Sequence, residues 1–325
     1  MAGREQEKGM NFIERKIKEL EAIEPQLTTP EDLEQFWSRI NQEIRDTPLS
    51  GRRTRVDTPL IGVDAYDVVY EGLDGTQIHG IYLVPSFFGK ASYPCIVNYH
   101  GYTGNRGMPE QFAHYLLAGL AVFSIDIRGQ AGETGDATPQ EGGQTKGWVT
   151  RGITSPETCY YKSVVTDAIR AVDWVCEQPE VDSSRVGVAG GSQGGGLALA
   201  VSAIGTKHAF AVADIPNMCN MDWTIFNSTG SITEAADYIS RYPERLDTVL
   251  HTLSYFDNMN LADRIRIPVL VSVGFKDSVC PPESVFAAYN RITSPKRIEM
   301  HPFNGHTPGG KHVRKVLRFI QEQVL

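Results

Sequence analysis

One pentapeptide, Gly190-Gly191-Ser192-Gln193-Gly194, constrains this chain more than any other feature. It follows a short apolar run, Val186 to Ala189, and opens into Leu197-Ala198-Leu199-Ala200-Val201, a stretch built to be helical. A serine at such a junction sits on a sharp strand-to-helix turn, with its hydroxyl exposed at the end of a sheet. Small residues must flank it, because side chains would clash across the strained turn. The chemical reading is a nucleophile. The bland one is an ordinary glycine-rich βα turn.

The surrounding pattern supplies the sheet. After Pro94, short apolar strands (Cys95–Tyr99, Ala121–Asp126, Arg185–Ala189, Phe210–Asp214, Val269–Gly274, Arg297–His301) alternate with helical stretches. Those stretches are Pro109–Ala118, Thr158–Glu177, Gly194–Ile204, Pro282–Ile292 and Gly310–Val324. Upstream, Asp64–Tyr70 and Thr76–Val84 flank Asp74-Gly75 and read as a β-hairpin. A hairpin followed by βαβ units predicts an α/β fold whose mostly parallel central sheet carries helices on both faces. Met10 to about Arg45 has an amphipathic helical pattern, with Thr29-Pro30-Glu31-Asp32 as the start signal of its second helix. We therefore expect an N-terminal helical extension over residues 1–50 and a catalytic domain over 51–325. The stretch from Pro216 to Ala262 breaks the rhythm and reads as an inserted cap over the sheet end.

An unassisted serine hydroxyl is a poor nucleophile; it needs an imidazole to take its proton and a carboxylate to orient the imidazole. In the α/β-hydrolase arrangement these follow in the order Ser, acid, His, each on a loop after a strand. Asp277, in Gly274-Phe275-Lys276-Asp277-Ser278, is the acid candidate, with Asp214 as rival and helix capping as its alternative role. His306, on a glycine-bearing turn past the last strand, is the base candidate, with His301 as rival. The oxyanion hole falls to the backbone N–H of Gln193 and that of Tyr102, in the run His100-Gly101-Tyr102-Thr103-Gly104. The remaining histidines (His79, His114, His208, His251 and His312) lack ligand-like spacing, so neither metal nor cofactor is expected. Tyr102, Trp148, Trp223, Phe226 and Phe275 could either line a sugar-sized pocket or belong to the core.

A net charge of −8 with no basic cluster argues against nucleic acid or an anionic membrane as partner. The five cysteines are odd in number and never spaced C-x-x-C, which suits a reducing compartment. The first twenty residues are densely charged and contain no apolar signal segment, so a cytoplasmic location is expected. Residues 1–9 read as a polar leader before a start at Met10.

Taken together, His100-Gly101-Tyr102, Arg128-Gly129-Gln130, Gly190-Gly191-Ser192-Gln193-Gly194-Gly195-Gly196, Asp277 and His306 resemble family 7 of the carbohydrate esterases. These are the acetyl xylan esterases and cephalosporin C deacetylases, and the likeness runs over nearly the whole chain from about Leu20. The resemblance implies metal-free serine hydrolysis of acetyl esters on short xylo-oligosaccharides and cephalosporin-type alcohols. In that scheme Ser192 is acylated, His306 shuttles the proton, Asp277 holds His306, and Tyr102 and Gln193 bind the oxyanion. It also implies a cytoplasmic homohexamer. Arg128 and Gln130 belong to the family signature and read independently as a hydrogen-bonding hub holding the loop after the strand Ala121–Asp126. Two departures stand out: Thr307 follows the histidine where the family has Glu, and Ala131 replaces a usual glycine. The rival expectations are a broad short-chain carboxylesterase and an inactive hydrolase fold used for binding.

Overall fold

In the computed structural model, which describes residues 9–140, 144 and 146–324, the chain opens with α1 (Phe12–Glu21) and α2 (Leu33–Asp46). The expected leader lies outside the described residues except for Gly9. Asn11 and Glu14 close a reciprocal capping box on α1. At α2 the start differs from expectation. The helix begins at Leu33, and Asp32 makes no capping bond, because its carboxylate accepts from the Tyr255 hydroxyl instead. Trp37 donates from Nε1 to Tyr255 O at 3.0 Å, so α2 is fastened by its buried aromatic face rather than by its cap.

β1 (Gly51–Val56), β2 (Asp64–Glu71) and β3 (Gln77–Val84) form an antiparallel meander. Next come β4 (Tyr93–Tyr99), α3 (Ala113–Leu117), β5 (Ala121–Ile125), α4 (Tyr160–Cys176), β6 (Val181–Gly191), α5 (Gln193–Ile204) and β7 (Phe210–Asp214). The 216–262 stretch is helical, with α6 (Met221–Asn227), α7 (Thr233–Arg241), α8 (Leu246–Ser254) and α9 (Asn258–Leu261). β8 (Val269–Gly274), α10 (Pro282–Tyr289), β9 (Lys296–His301) and α11 (His312–Val324) complete the chain.

Among the described residues the sheet order is β1-β2-β3-β5-β4-β6-β7-β8-β9, with β5 through β9 parallel and β3 joining β5 antiparallel. Strand alternation feeds two cores. Cys95, Val97 and Tyr99 of β4 face one, with α2, α4 and α5; Ile96 faces the other, with Leu116, Phe319 and Ile320. Both faces are thus covered, as a parallel sheet requires. After β4 the chain steps to one side to make β5, then crosses back to make β6. The C-terminal ends of β4 and β6 therefore flank a topological switch point, where open α/β sheets bind their ligands.

Candidate active site

Ser192 stands directly after β6 with φ 58° and ψ −118°, a left-handed conformation that a non-glycine residue adopts at a cost of roughly 1–3 kcal/mol. The surroundings enforce it: its N–H donates to Asp214 O at 2.9 Å, and its C=O accepts from Gly196 and Asn217 N–H, both at 2.9 Å. The glycines permit close approach of backbone. A Cβ on Gly194 would lie 1.9 Å from Tyr99 O, and one on Gly190 would lie 2.5 Å from both Tyr99 O and the Gly194 carbonyl carbon. The elbow therefore packs α5 against the end of β4 with no room for a methyl group.

Asp277 and His306 come from loops that are zipped together. Phe275 N–H donates to His301 O at 3.2 Å and Lys276 N–H to Asn304 O at 3.0 Å. Asp277 is buried; its Oδ1 accepts from the N–H groups of Val279 (2.8 Å) and Cys280 (2.9 Å). Its Oδ2 lies 2.8 Å from His306 Nδ1. A carboxylate is acceptor-only, so Nδ1 carries a hydrogen, and in the neutral ring the free lone pair is then on Nε2. His306 remains partly open to solvent, with 30% of its side chain accessible. Among the described residues no hydrogen bond joins His306 to Ser192. Burial pushes the Cys280 thiol up, as does the Asp277 charge, while the neighbouring Ser192 hydroxyl lowers it. Such catalytic contacts often tighten only when substrate is bound.

The two rivals are engaged elsewhere. Asp214 lies 2.6 Å from His312 Nε2, and among the described residues no hydrogen bond joins it to His306. The His301 ring packs edge-on against His312, centroids 5.3 Å apart, and burial lowers its basicity.

Tyr102 and Gln193 sit on either side of the elbow, after β4 and at the start of α5. Among the described residues neither backbone N–H has an acceptor. Gly101 brings the Tyr102 loop close to the nucleophile, since a Cβ there would stand 3.8 Å from Ser192 Cβ. His100 pins this loop: its Nε2 accepts from Ile127 N–H at 2.9 Å and its Nδ1 bonds Gly101 O at 2.7 Å. Burial lowers the His100 pKa, keeping the ring in the neutral form those contacts need.

Arg128 and Gln130 each hold several hydrogen-bond partners. The buried Arg128 guanidinium grips Asp167 at 2.6 and 2.8 Å and reaches Asp74 at 2.7 Å. Burial alone would raise the Asp74 carboxyl, yet Arg128 holds it well below the usual carboxylate range. Gln130 accepts from Thr103 N–H at 2.8 Å and donates to Gln193 Oε1 at 3.0 Å, bridging the loop after β4 to the start of α5. Gly129, at φ 72°, provides the turn between them.

One contact escapes sequence reading. The Tyr102 hydroxyl donates to the buried Glu234 carboxylate, 2.8 and 2.9 Å from its two oxygens, although 132 positions separate the residues. Of the aromatic candidates, Tyr102 and Trp148 pack together half-buried, centroids 5.3 Å apart, while Phe226 is 90% exposed. A cleft of about 1080 Å³ lies between the N-terminal helices and residues 259–293; it is lined by none of Ser192, Asp277, His306, Tyr102 or Gln193. Among the described residues no group of three or more His, Cys, Asp or Glu could hold a metal ion, and no helix is long and apolar enough to cross a membrane.

Comparison with known proteins completes the picture. The acetyl xylan esterase (AXE1) family profile matches residues 10–323. An acetyl xylan esterase from Paenibacillus sp. R4 superposes with TM-score 0.91 at 39% identity, covering 97% of this chain and all of that one. Acetyl xylan esterase 1 from Thermoanaerobacterium sp. JW/SL YS485 gives 0.89 at 31% identity, covering 97% and 99%. The acetyl esterase Axe7A of Xylanibacter ruminicola is 29% identical over 314 residues, 94% of this chain and 70% of the relative.

Proposed function

The chain belongs to the acetyl xylan esterase family, and from that premise we propose that it deacetylates small acetylated sugars, xylo-oligosaccharides above all, through an acyl-enzyme on Ser192. The observations that carry the proposal are the 2.8 Å Asp277–His306 pair on its loop zipper and the strained turn at Ser192. Its chemistry runs in four steps. His306 Nε2 takes the Ser192 proton as Oγ attacks the acetyl carbonyl, and Asp277 stabilises the imidazolium. The Tyr102 and Gln193 N–H groups receive the oxyanion. His306 then protonates the departing sugar hydroxyl. Water, deprotonated by the same imidazole, attacks the acyl carbonyl; the bond to Ser192 Oγ breaks, acetate leaves, and His306 returns the proton to Oγ.

The acetate-bearing alcohol of cephalosporin C is a second substrate in this proposal. The fully free cysteines support assignment to a reducing, cytoplasmic compartment, and the family resemblance supports a homohexamer that sedimentation analysis would test. Substrate range is tested by kcat/KM for acetylated xylo-oligosaccharides, cephalosporin C, and aryl acetate against aryl butyrate. Preference for acetyl esters and release of acetate from the oligosaccharides are expected. A clear butyrate preference would instead indicate a broad carboxylesterase.

A further inference from the structure

Tyr102 reaches the reacting centre through its backbone and the helical insertion through its side chain. On the insertion side, Glu234 of α7 is 6% exposed and carries its carboxylate into a cradle made by residues 147–149. Val149 N–H donates to Glu234 Oε2 at 3.1 Å, and Trp148 N–H donates to the Tyr102 hydroxyl at 2.8 Å. The Tyr102 hydroxyl passes its own hydrogen to the carboxylate. Gly147, at φ +46°, makes the cradle possible: a Cβ there would lie 1.9 Å from Glu234 Oε1. Phenol, carboxylate and two successive backbone N–H groups thus close one ring of hydrogen bonds, with the Trp148 ring packed edge-on to Tyr102.

We propose that Glu234 is a positioning residue for the oxyanion hole, its carboxylate clamping the Tyr102 phenol to residues 147–149 and so fixing the Tyr102 N–H that faces the developing oxyanion. The inference rests on the Ser192 reading above and adds a role for the insertion. An oxyanion donor acts only when held at hydrogen-bond distance from where the charge develops, so a slack Tyr102 weakens the transition state and leaves ground-state binding nearly intact. The 130-side bridge through Gln130 holds Thr103, one residue on, so the donor is braced from both flanks.

The test uses the full chain with Glu234→Gln, Tyr102→Phe and the double variant, each measured on 4-nitrophenyl acetate per titrated active site. Tyr102→Phe keeps the ring against Trp148 and so guards against a variant that simply fails to fold. Each single variant is expected to lose kcat by roughly tenfold to a hundredfold, with KM within about threefold, below the full loss of one donor. The double variant should be no worse than the poorer single one, because both break the same clamp. Affinity for a boronic acid that adds to Ser192 should weaken in step with kcat, while the acid limb of the pH profile stays in place. Lower melting temperature with unchanged kcat per active site would overturn the proposal, as would additive losses or a shifted acid limb. Wild-type hydrolysis that persists in Ser192→Ala would overturn the Ser192 reading itself, and this inference with it.

Discussion

Replacing Gly194 with alanine should separate the oxyanion donors without removing any reacting group. The added Cβ would start 1.9 Å from Tyr99 O, whereas Cβ atoms essentially never approach a neighbour within 3.0 Å. The start of α5 must therefore retreat from the end of β4 by about 1.1 Å, the difference between those distances. Both neighbours are backbone, so no rotamer change can absorb the strain. Gln193 N–H rides on α5 and Tyr102 N–H follows β4, so the retreat widens the gap between the two donors. A misplacement of about 1 Å can cost on the order of a hundredfold in rate. The overpacking itself should destabilise by about 1–3 kcal/mol. Initial rates on 4-nitrophenyl acetate, normalised to titrated active sites, should show kcat down about a hundredfold with KM little changed. Gly191→Ala is the matched control for stability, since its Cβ would meet nothing nearer than 4.0 Å. A Gly194→Ala enzyme with kcat within threefold of wild type would refute the claim that backbone contact at the elbow sets the donor geometry.

Asp277→Asn should lower kcat roughly a thousandfold to ten-thousandfold, because an amide can hold His306 in the wrong tautomer; steady-state rates at pH 8 would show it, and a loss under tenfold would count against Asp277 as the orienting acid. Arg128→Met strands the buried Asp167 together with Asp74 and Asp136, all within reach of the guanidinium, and should cost about 3–5 kcal/mol; calorimetry should find a melting temperature about 5 °C lower, and an unshifted one would contradict the hub. His208 is buried with neither ring nitrogen bonded among the described residues, and burial pushes its imidazole down to about 4. The unfolded chain titrates this group near 6.5, so it binds the extra proton first, and folding stability falls as pH drops from about 6.5 to about 4, by about 3 kcal/mol in all. Urea midpoints at pH 7.5 and 4.5 should therefore differ less in His208→Leu than in wild type; equal differences would rule this out.

The sheet was legible because its parallel strands are short apolar runs separated by helical stretches, and both features survive as sequence pattern. β1 was not. Gly51-Arg52-Arg53-Thr54-Arg55-Val56 carries three arginines and lies at the sheet edge with no buried residue, where charge guards against pairing with other chains and erases the apolar signal. The 216–262 stretch announced itself only as a break in rhythm; its division into helices was not visible in the residues themselves. At the candidate site, the positions of Ser192, Asp277 and His306 could be read because each follows a strand in the order of the α/β-hydrolase arrangement. What Asp214 does could not be read, since its partner His312 is 98 residues away and is brought in by α11. The Tyr102–Glu234 contact was hidden for the same reason: nothing local to either residue marks the other. The partners of Arg128 were equally silent, since Asp74 lies in a hairpin turn and Asp167 within α4, and only the tertiary fold delivers both to one guanidinium.

Acetate release from acetylated xylo-oligosaccharides, compared between wild type and Ser192→Ala at matched folded concentration, bears most directly on the central claim. Release by the wild type is expected, with its loss in the variant to the level of the uncatalysed reaction plus residual binding effects. Release that continues in Ser192→Ala at a substantial fraction of the wild-type rate would contradict it, because no acyl-enzyme at that position could then lie on the pathway.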